Sequence, residues 1–348
     1  MKKNLLVLIA LFLALTIGCS ASDKSSAPAS GEAAIADESD LTKGDPITLV
    51  YTEGNSESHP LGQAAVFFKN YIAEKTNNRI TVDLYFDMQL GDEKAGHEGM
   101  QIGTIDIGRS NATTFCDYGV PAMGVFGMPF TFESLEHLQN FLTSESAGEL
   151  LAEVGAADNG MVAVSFWPEG SRNLFFSKTP VSKLSDMENL KIRVPETELM
   201  IDVFTALGTN PTPLSYSELY TSIQSGVVDG AENTLSAYIA NSFYEVAPYY
   251  VKDAHTFSPG IIVFSDKTWA KLTDAEKALM KEAAEAARDY LYELTLKSEA
   301  ENEAKLSDLG VTILEVEDLP EWQKAVEPIY AQYGEDMIAL IKDIQQYK

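Results

Sequence analysis

Apolar and polar residues alternate in "PITLVYT" (46–52) and in "ITVDLYF" (80–86), while "HPLGQAAVFFKNYIAEKT" between them repeats its apolar positions at helical spacing. The switching of period continues along the chain. "GDEKAGHEGMQIG" reads as a helix, "TIDIG" (104–108) as a strand, "SLEHLQNFL" as a helix and "MVAVSFW" (161–167) as a strand. "NLKIRVPE" is a further strand and "ELMIDVFTALG" a helix ending at Gly208. In "SYSELY", Ser215 and Glu218 have the spacing of a capping box for a helix that stops at Gly226, and "GIIVFS" (260–265) is again a strand. Strands alternating with helices predict α/β lobes with mostly parallel sheets.

From Thr273 to Leu309 the chain has a helical pattern with neither glycine nor proline. Unbroken, such a helix runs about 50 Å, more than one lobe needs, and a helix spanning two lobes around a cleft accounts for it. Two helices with a bend near Ser298 are the alternative.

The amino-terminal run from Leu5 to Ile17 follows two lysines and is shorter than the roughly 20 apolar residues of a membrane-spanning helix, so it reads as an export signal. "TIGC" resembles a lipoprotein cleavage box, with Thr16 where leucine is usual and Leu15 before it. The resemblance implies a signal peptide over 1–18 and acylation of Cys19, which would anchor the chain to a membrane. Residues 19–45 are rich in Ser, Ala and acidic groups with little apolar bulk, the composition of a flexible tether. The folded part is expected to start near Pro46. Its single cysteine, Cys116, leaves no internal disulfide, so a hydrophobic core must hold it.

A net charge of −27 repels a phosphate-backbone partner and argues against nucleic-acid binding. It also means that an anionic ligand needs a locally basic, enclosed site. The chain has only five arginines, Arg79, Arg109, Arg172, Arg193 and Arg288. Arg172 in "FWPEGSRN", Arg193 in "LKIRVPE" and Arg109 in "DIGRSN" all lie near predicted strand ends, where α/β sheets bind ligands. A guanidinium fork there suits a carboxylate. Arg79, leading into a strand, and Arg288, on the long helix near Glu285, read as structural. No phosphate loop, dinucleotide turn, zinc helix or nucleophile elbow is present, and the four histidines have no metal-type spacing. No catalytic residues, metal or cofactor are assigned.

"LKIRVPE" and "FTALGTNPTPLSYSELYTSIQSGVVDGAEN" resemble the signature region of the solute-binding proteins of tripartite ATP-independent periplasmic (TRAP) transporters, the DctP-type family. "QLGDEKAGHEGMQIGTIDIGRSN", "GMPFTFESLEHL", "YEVAPYYVKDAHTFSPGIIVFSDKTWAKLT" and "LGVTILEV" extend the resemblance over nearly the whole mature chain. It implies a two-lobed periplasmic binding protein fold: lobe I from 46–168 plus about 258–297, lobe II from 169–257 plus about 298–348, and a cleft that closes on ligand. It implies a receptor rather than an enzyme, monomeric, periplasmic or at the cell surface, that passes an organic acid to the small and large membrane subunits of the transporter.

By the same resemblance Arg193 clamps the ligand carboxylate, Arg172 is a second cationic contact and Asn233 a hydrogen-bonding one. "GAEN", "DIGRSN" and "LGDEK" are most similar to the branch that binds sugar acids such as uronates, which adds Glu93, Arg109, Asn111, Tyr216 and His59. That branch commonly has a second asparagine and then a proline after "GAEN", where this chain has Thr234, Leu235 and Ser236. A C4-dicarboxylate is the alternative ligand, and a secreted hydrolase using acidic residues or a sensing partner of a membrane kinase are the alternative functions.

Overall fold

The computed structural model describes residues 41–348; the expected signal peptide, Cys19 and residues 20–40 of the expected tether lie outside the described residues. In chain order the strands are β1 (Ile47–Thr52), β2 (Ile80–Tyr85), β3 (Ile107–Asn111), β4 (Met161–Trp167), β5 (Arg172–Phe176), β6 (Lys191–Val194), β7 (Asn210–Pro213), β8 (Gly230–Thr234), β9 (Tyr249–Thr256), β10 (Gly260–Ser265) and β11 (Thr312–Glu315). They form two sheets, one with the order β2-β1-β3-β10-β4 and one with the order β11-β9-β5-β8-β6-β7. Each sheet is the centre of one lobe of an α/β fold.

The sheets are mixed rather than mostly parallel. β10 runs antiparallel to β3 and β4, and β5 runs antiparallel to β8 and β9. The reason lies in the route of the chain. β5 follows β4 through the four residues Pro168–Ser171, and β10 follows β9 through Phe257–Pro259, so each enters its sheet directly from the other one. No helical crossover makes them run parallel to a preceding strand.

The third connection is the helix Asp274–Leu306, one element of 33 residues with Thr273 and Glu276 forming its capping box. It packs on the helix Pro60–Lys75 and on β4 of the first lobe, and on the helix Leu235–Ala240 of the second. Ser298 lies inside it and bonds the Ser236 hydroxyl at 3.0 Å, so the chain does not break there. Trp167, fully buried, donates its indole N–H to the Ala284 carbonyl at 3.0 Å and fastens β4 to the same helix. The C-terminal helices straddle the lobes: Leu319–Gln332 packs on Glu198–Ala206, and Gly334–Ile344 packs on the short helix Pro121–Gly127.

Other departures have local causes. The strand expected at 104–108 begins at Ile107, because Asp106 turns its carboxylate onto the Val50 N–H, at 2.8 Å, and onto the Thr268 hydroxyl. Arg109 is therefore the middle residue of β3 rather than a residue beyond it. Ser215 makes no capping bond; its hydroxyl meets Ser217 at 3.0 Å and Asp92 at 3.4 Å, and Tyr216–Glu218 is a 3-10 turn ahead of the helix Leu219–Gln224. The ordered fold already includes Leu41, whose side chain is buried and whose carbonyl accepts from Arg79 Nε at 2.7 Å. Arg288 pairs with Asp289 at 2.9 Å, not with Glu285.

Candidate functional site

All eight residues expected at the site, His59, Glu93, Arg109, Asn111, Arg172, Arg193, Tyr216 and Asn233, line one cleft of about 620 Å³. The volume suits a small ligand. His59, Glu93, Arg109 and Asn111 come from the first lobe, and Arg193, Tyr216 and Asn233 from the second. Arg172 opens β5, at the end of the strap Pro168–Ser171 that joins them.

On the first-lobe wall, Arg109 reaches Glu53 with Nε at 3.2 Å and Nη2 at 3.0 Å. Room for its side chain exists because β10 has glycine at 260, where a Cβ would stand 2.8 Å from Arg109 Cδ. Burial works against both charges, but the pair outweighs it. The Glu53 carboxyl is held below its ordinary range by Arg109 and by two bonds from Asn55, and the Arg109 guanidinium is held above its own. Glu93 starts the helix Glu93–Ile102 and accepts the Asn111 N–H at 2.9 Å and the Thr114 hydroxyl at 2.7 Å. Asn111 in turn accepts from Thr113 and Ser258 through Oδ1. Its amide nitrogen takes no protein acceptor among the described residues.

His59 caps the helix Pro60–Lys75, its Nδ1 accepting the Leu61 N–H at 3.2 Å. Burial pushes its pKa down to about 4, so the ring is neutral and its proton resides on Nε2.

The second-lobe wall holds two buried arginines in different states. Arg172 makes a fork to Glu232, Nε to Oε2 at 2.5 Å and Nη2 to Oε1 at 2.8 Å. Behind it, His255 Nε2 lies 3.6 Å from Glu232, and Asp253 lies 2.6 Å from His255 Nδ1. Burial alone would lower the His255 pKa, but Asp253 and Glu232 raise it to about 9. Glu232, against its own burial, is held well below the carboxylate range by Arg172 and His255. Asp253 completes the network by accepting the Leu174 N–H at 2.8 Å.

Arg193 has no such partner. It donates from Nε and Nη2 to the Leu214 carbonyl at 3.0 and 2.7 Å, and its guanidinium carbon sits 5.9 Å from the centre of the Tyr216 ring. Among the described residues the other four arginines each pair with a carboxylate, whereas Arg193, 4% exposed, has none within 4.0 Å. Burial, against the more distant pull of Glu232 and aided by Arg172, brings its pKa down to about 10, opposite to the shift at Arg109 and Arg172. Asn233 in β8 uses Oδ1 on the Thr234 N–H at 2.8 Å; its amide nitrogen has no protein acceptor among the described residues. The Tyr216 hydroxyl accepts from Asn241 at 2.8 Å, and burial raises its pKa to about 12.

Sequence reasoning missed Glu53, Glu169, Glu232 and the pair Asp253 and His255. Glu169 lines the cleft from the strap, with Oε1 3.8 Å from Arg109 Nη1, and burial raises its pKa against the pull of Arg109 and Arg172. The available signal was a carboxylate just after a strand in "YTEG" and one within a strand in "GAEN". It is drowned in a chain with 52 acidic residues.

The model of the family "Bacterial extracellular solute-binding protein, family 7" (DctP) matches residues 51–336. A solute-binding protein of Chromohalobacter salexigens is 32% identical over 291 residues, 83% of this chain and 86% of that one. Two solved structures have the same fold. A TRAP periplasmic solute-binding protein of Bradyrhizobium sp. BTAi1, in complex with α/β-D-galacturonate, has a TM-score of 0.83 at 29% identity, covering 86% of this chain and 99% of that one. One of Pseudomonas putida F1, with bound D-glucuronate, has a TM-score of 0.83 at 29% identity, covering 86% and 97%. With the fold, the cleft and the match over most of its length in agreement, this chain belongs to the DctP family of TRAP transporter solute-binding proteins, which are receptors and not enzymes.

Proposed function

We propose that the protein is the extracytoplasmic receptor of a TRAP transporter and that its ligand is a sugar acid with a single carboxylate, such as a uronate. The observation that carries this reading is the buried Arg193 guanidinium, which lines the cleft without a carboxylate partner among the described residues. A buried cation without a counter-charge is costly, and a bound carboxylate on its fork supplies one. Arg109 and Arg172 already have Glu53 and Glu232, so the cleft offers one full carboxylate site rather than two. That favours a monocarboxylate over a C4-dicarboxylate, which needs Arg172 to give up its fork. Asn233, Asn111, Glu93 and Tyr216, with the outer edges of Arg109 and Arg172, then serve ligand hydroxyls, while His59 forms part of the cleft wall. The relatives that hold galacturonate and glucuronate support the same class.

Binding draws together a first lobe (46–168 plus about 258–297) and a second (169–257 plus about 298–348) around the strap, and the closed monomer docks on the small and large membrane subunits. Acylation of Cys19 anchors it to a membrane, in the periplasm or at the cell surface; mass spectrometry of the mature N-terminus tests this, and a free, unmodified amino terminus beyond residue 19 would remove the anchor.

The ligand is tested by calorimetry with galacturonate, glucuronate, succinate and malate. Saturating ligand, at 100 times its dissociation constant, adds about 2.7 kcal/mol to stability. Binding of succinate or malate with no response to either uronate would overturn the sugar-acid reading.

A further inference from the structure

We propose that one internal water molecule is a built component of this receptor, held in a niche behind the cleft between His59 and Glu169, where it ties the first lobe to the interlobe strap. The niche measures about 10 Å³, which admits one water oxygen and no carbon-bearing group. Pro168, Thr234, Ser236 and Thr295 complete its main walls.

Two residues that line this space carry a buried polar atom without a hydrogen-bond partner among the described residues, His59 Nε2 and Glu169 Oε1, the latter 3.8 Å from Arg109 Nη1. The His59 ring accepts the Leu61 N–H through Nδ1, so its Nε2 carries the proton and donates. Glu169 Oε1 accepts. Burying either group unpaired is unfavourable, and a water that accepts from one and donates to the other satisfies both. Thr234 and Ser236 line the same niche with hydroxyls that already meet the Ala237 N–H at 3.3 Å and the Ser298 hydroxyl at 3.0 Å, which leaves His59 and Glu169 as the two partners an internal water requires.

The position gives the water a mechanical role. His59 caps the first-lobe helix Pro60–Lys75, Glu169 lies in the strap, Thr234 ends β8 of the second lobe, and Thr295 belongs to the long helix. One hydrogen-bonded oxygen thus joins the parts that meet where the lobes are connected. The inference stands on the niche and its lining, whichever acid the cleft binds.

A high-resolution crystal structure of the mature chain tests it first. One ordered water within hydrogen-bonding distance of His59 Nε2 and Glu169 Oε1 is expected. A dry niche, or a direct bond between the two side chains, overturns the proposal. Thr295→Ile adds a methyl group to the niche and is expected to expel the water and to speed amide exchange at Gly170 and Ser171 by about fivefold, the loss of roughly one net hydrogen bond. Loss of the water with exchange unchanged would overturn the tether. Should Thr295→Ile fail to fold, exchange in Thr295→Val, which keeps the volume, serves as the packing control, and the crystal structure of the unsubstituted chain still decides the site.

Discussion

Arg172 and Arg193 lie in the same sheet, on opposite sides of β8, both buried and both lining the cleft, yet their surroundings differ. Arg172 belongs to a charged network in which it forks onto Glu232, His255 bonds Asp253, and His255 Nε2 stands 3.6 Å from Glu232. Arg193 has a carbonyl, an aromatic face and, among the described residues, no carboxylate within 4.0 Å. A paired guanidinium shapes a wall, whereas an unpaired one attracts an anion to the space in front of it. The contrast teaches that the number of arginines in a cleft does not count its anion sites; the number left without a carboxylate does.

The largest way to break the contrast is Glu232→Ala, which leaves Arg172 in the state of Arg193. Removal of one partner of a buried pair costs about 3–5 kcal/mol, expected as a lower unfolding midpoint of the ligand-free protein in a thermal melt. An unchanged midpoint would show that the network does not hold the fold.

The pH dependence comes next. The folded pKa of His255, about 9, lies above the ordinary histidine value, so its contribution is fully present below about pH 6.5 and is lost as pH rises through 9. Denaturant melts across this window are expected to show a decline on the order of 3 kcal/mol that His255→Gln removes. If the decline persists in the variant, another group causes it.

Arg193→Lys is expected to weaken ligand binding more than tenfold, since lysine lacks the fork, while the ligand-free melting midpoint stays about the same, because the unpaired positive charge is kept. Calorimetry together with a melt checks both halves; unchanged affinity would take Arg193 out of the site. Least affected is Tyr216→Phe, which keeps the ring beside Arg193 and loses the bond from Asn241; about a twofold change in affinity is expected, against a larger loss for Tyr216→Ala if the ring face supports the cation.

Much of this was legible along the chain. The period switches locate β1, β2, β4 and β10 and the helix Asp274–Leu306 to within a few residues, because their apolar faces are continuous in sequence. The arginines stood out because they are few. The strands β5, β7, β9 and β11 were not legible: β5 is buried throughout and has no alternation, and β7 carries two prolines, so these two are strands only because a neighbouring strand is there to pair with each.

What the sequence alone determined is therefore local: the alternation of elements, the scarcity of arginine in an acidic chain, and the motif around Arg193 that resembles its family. Tertiary structure decided the charge state of the cleft. Glu53 lies 56 residues from Arg109, and Glu232 lies 60 from Arg172. Which acid meets which arginine depends on strand register across the sheets, and register is a property of the assembled fold. With those two pairs formed, Arg193 alone of the three cleft arginines remains to meet a carboxylate from outside.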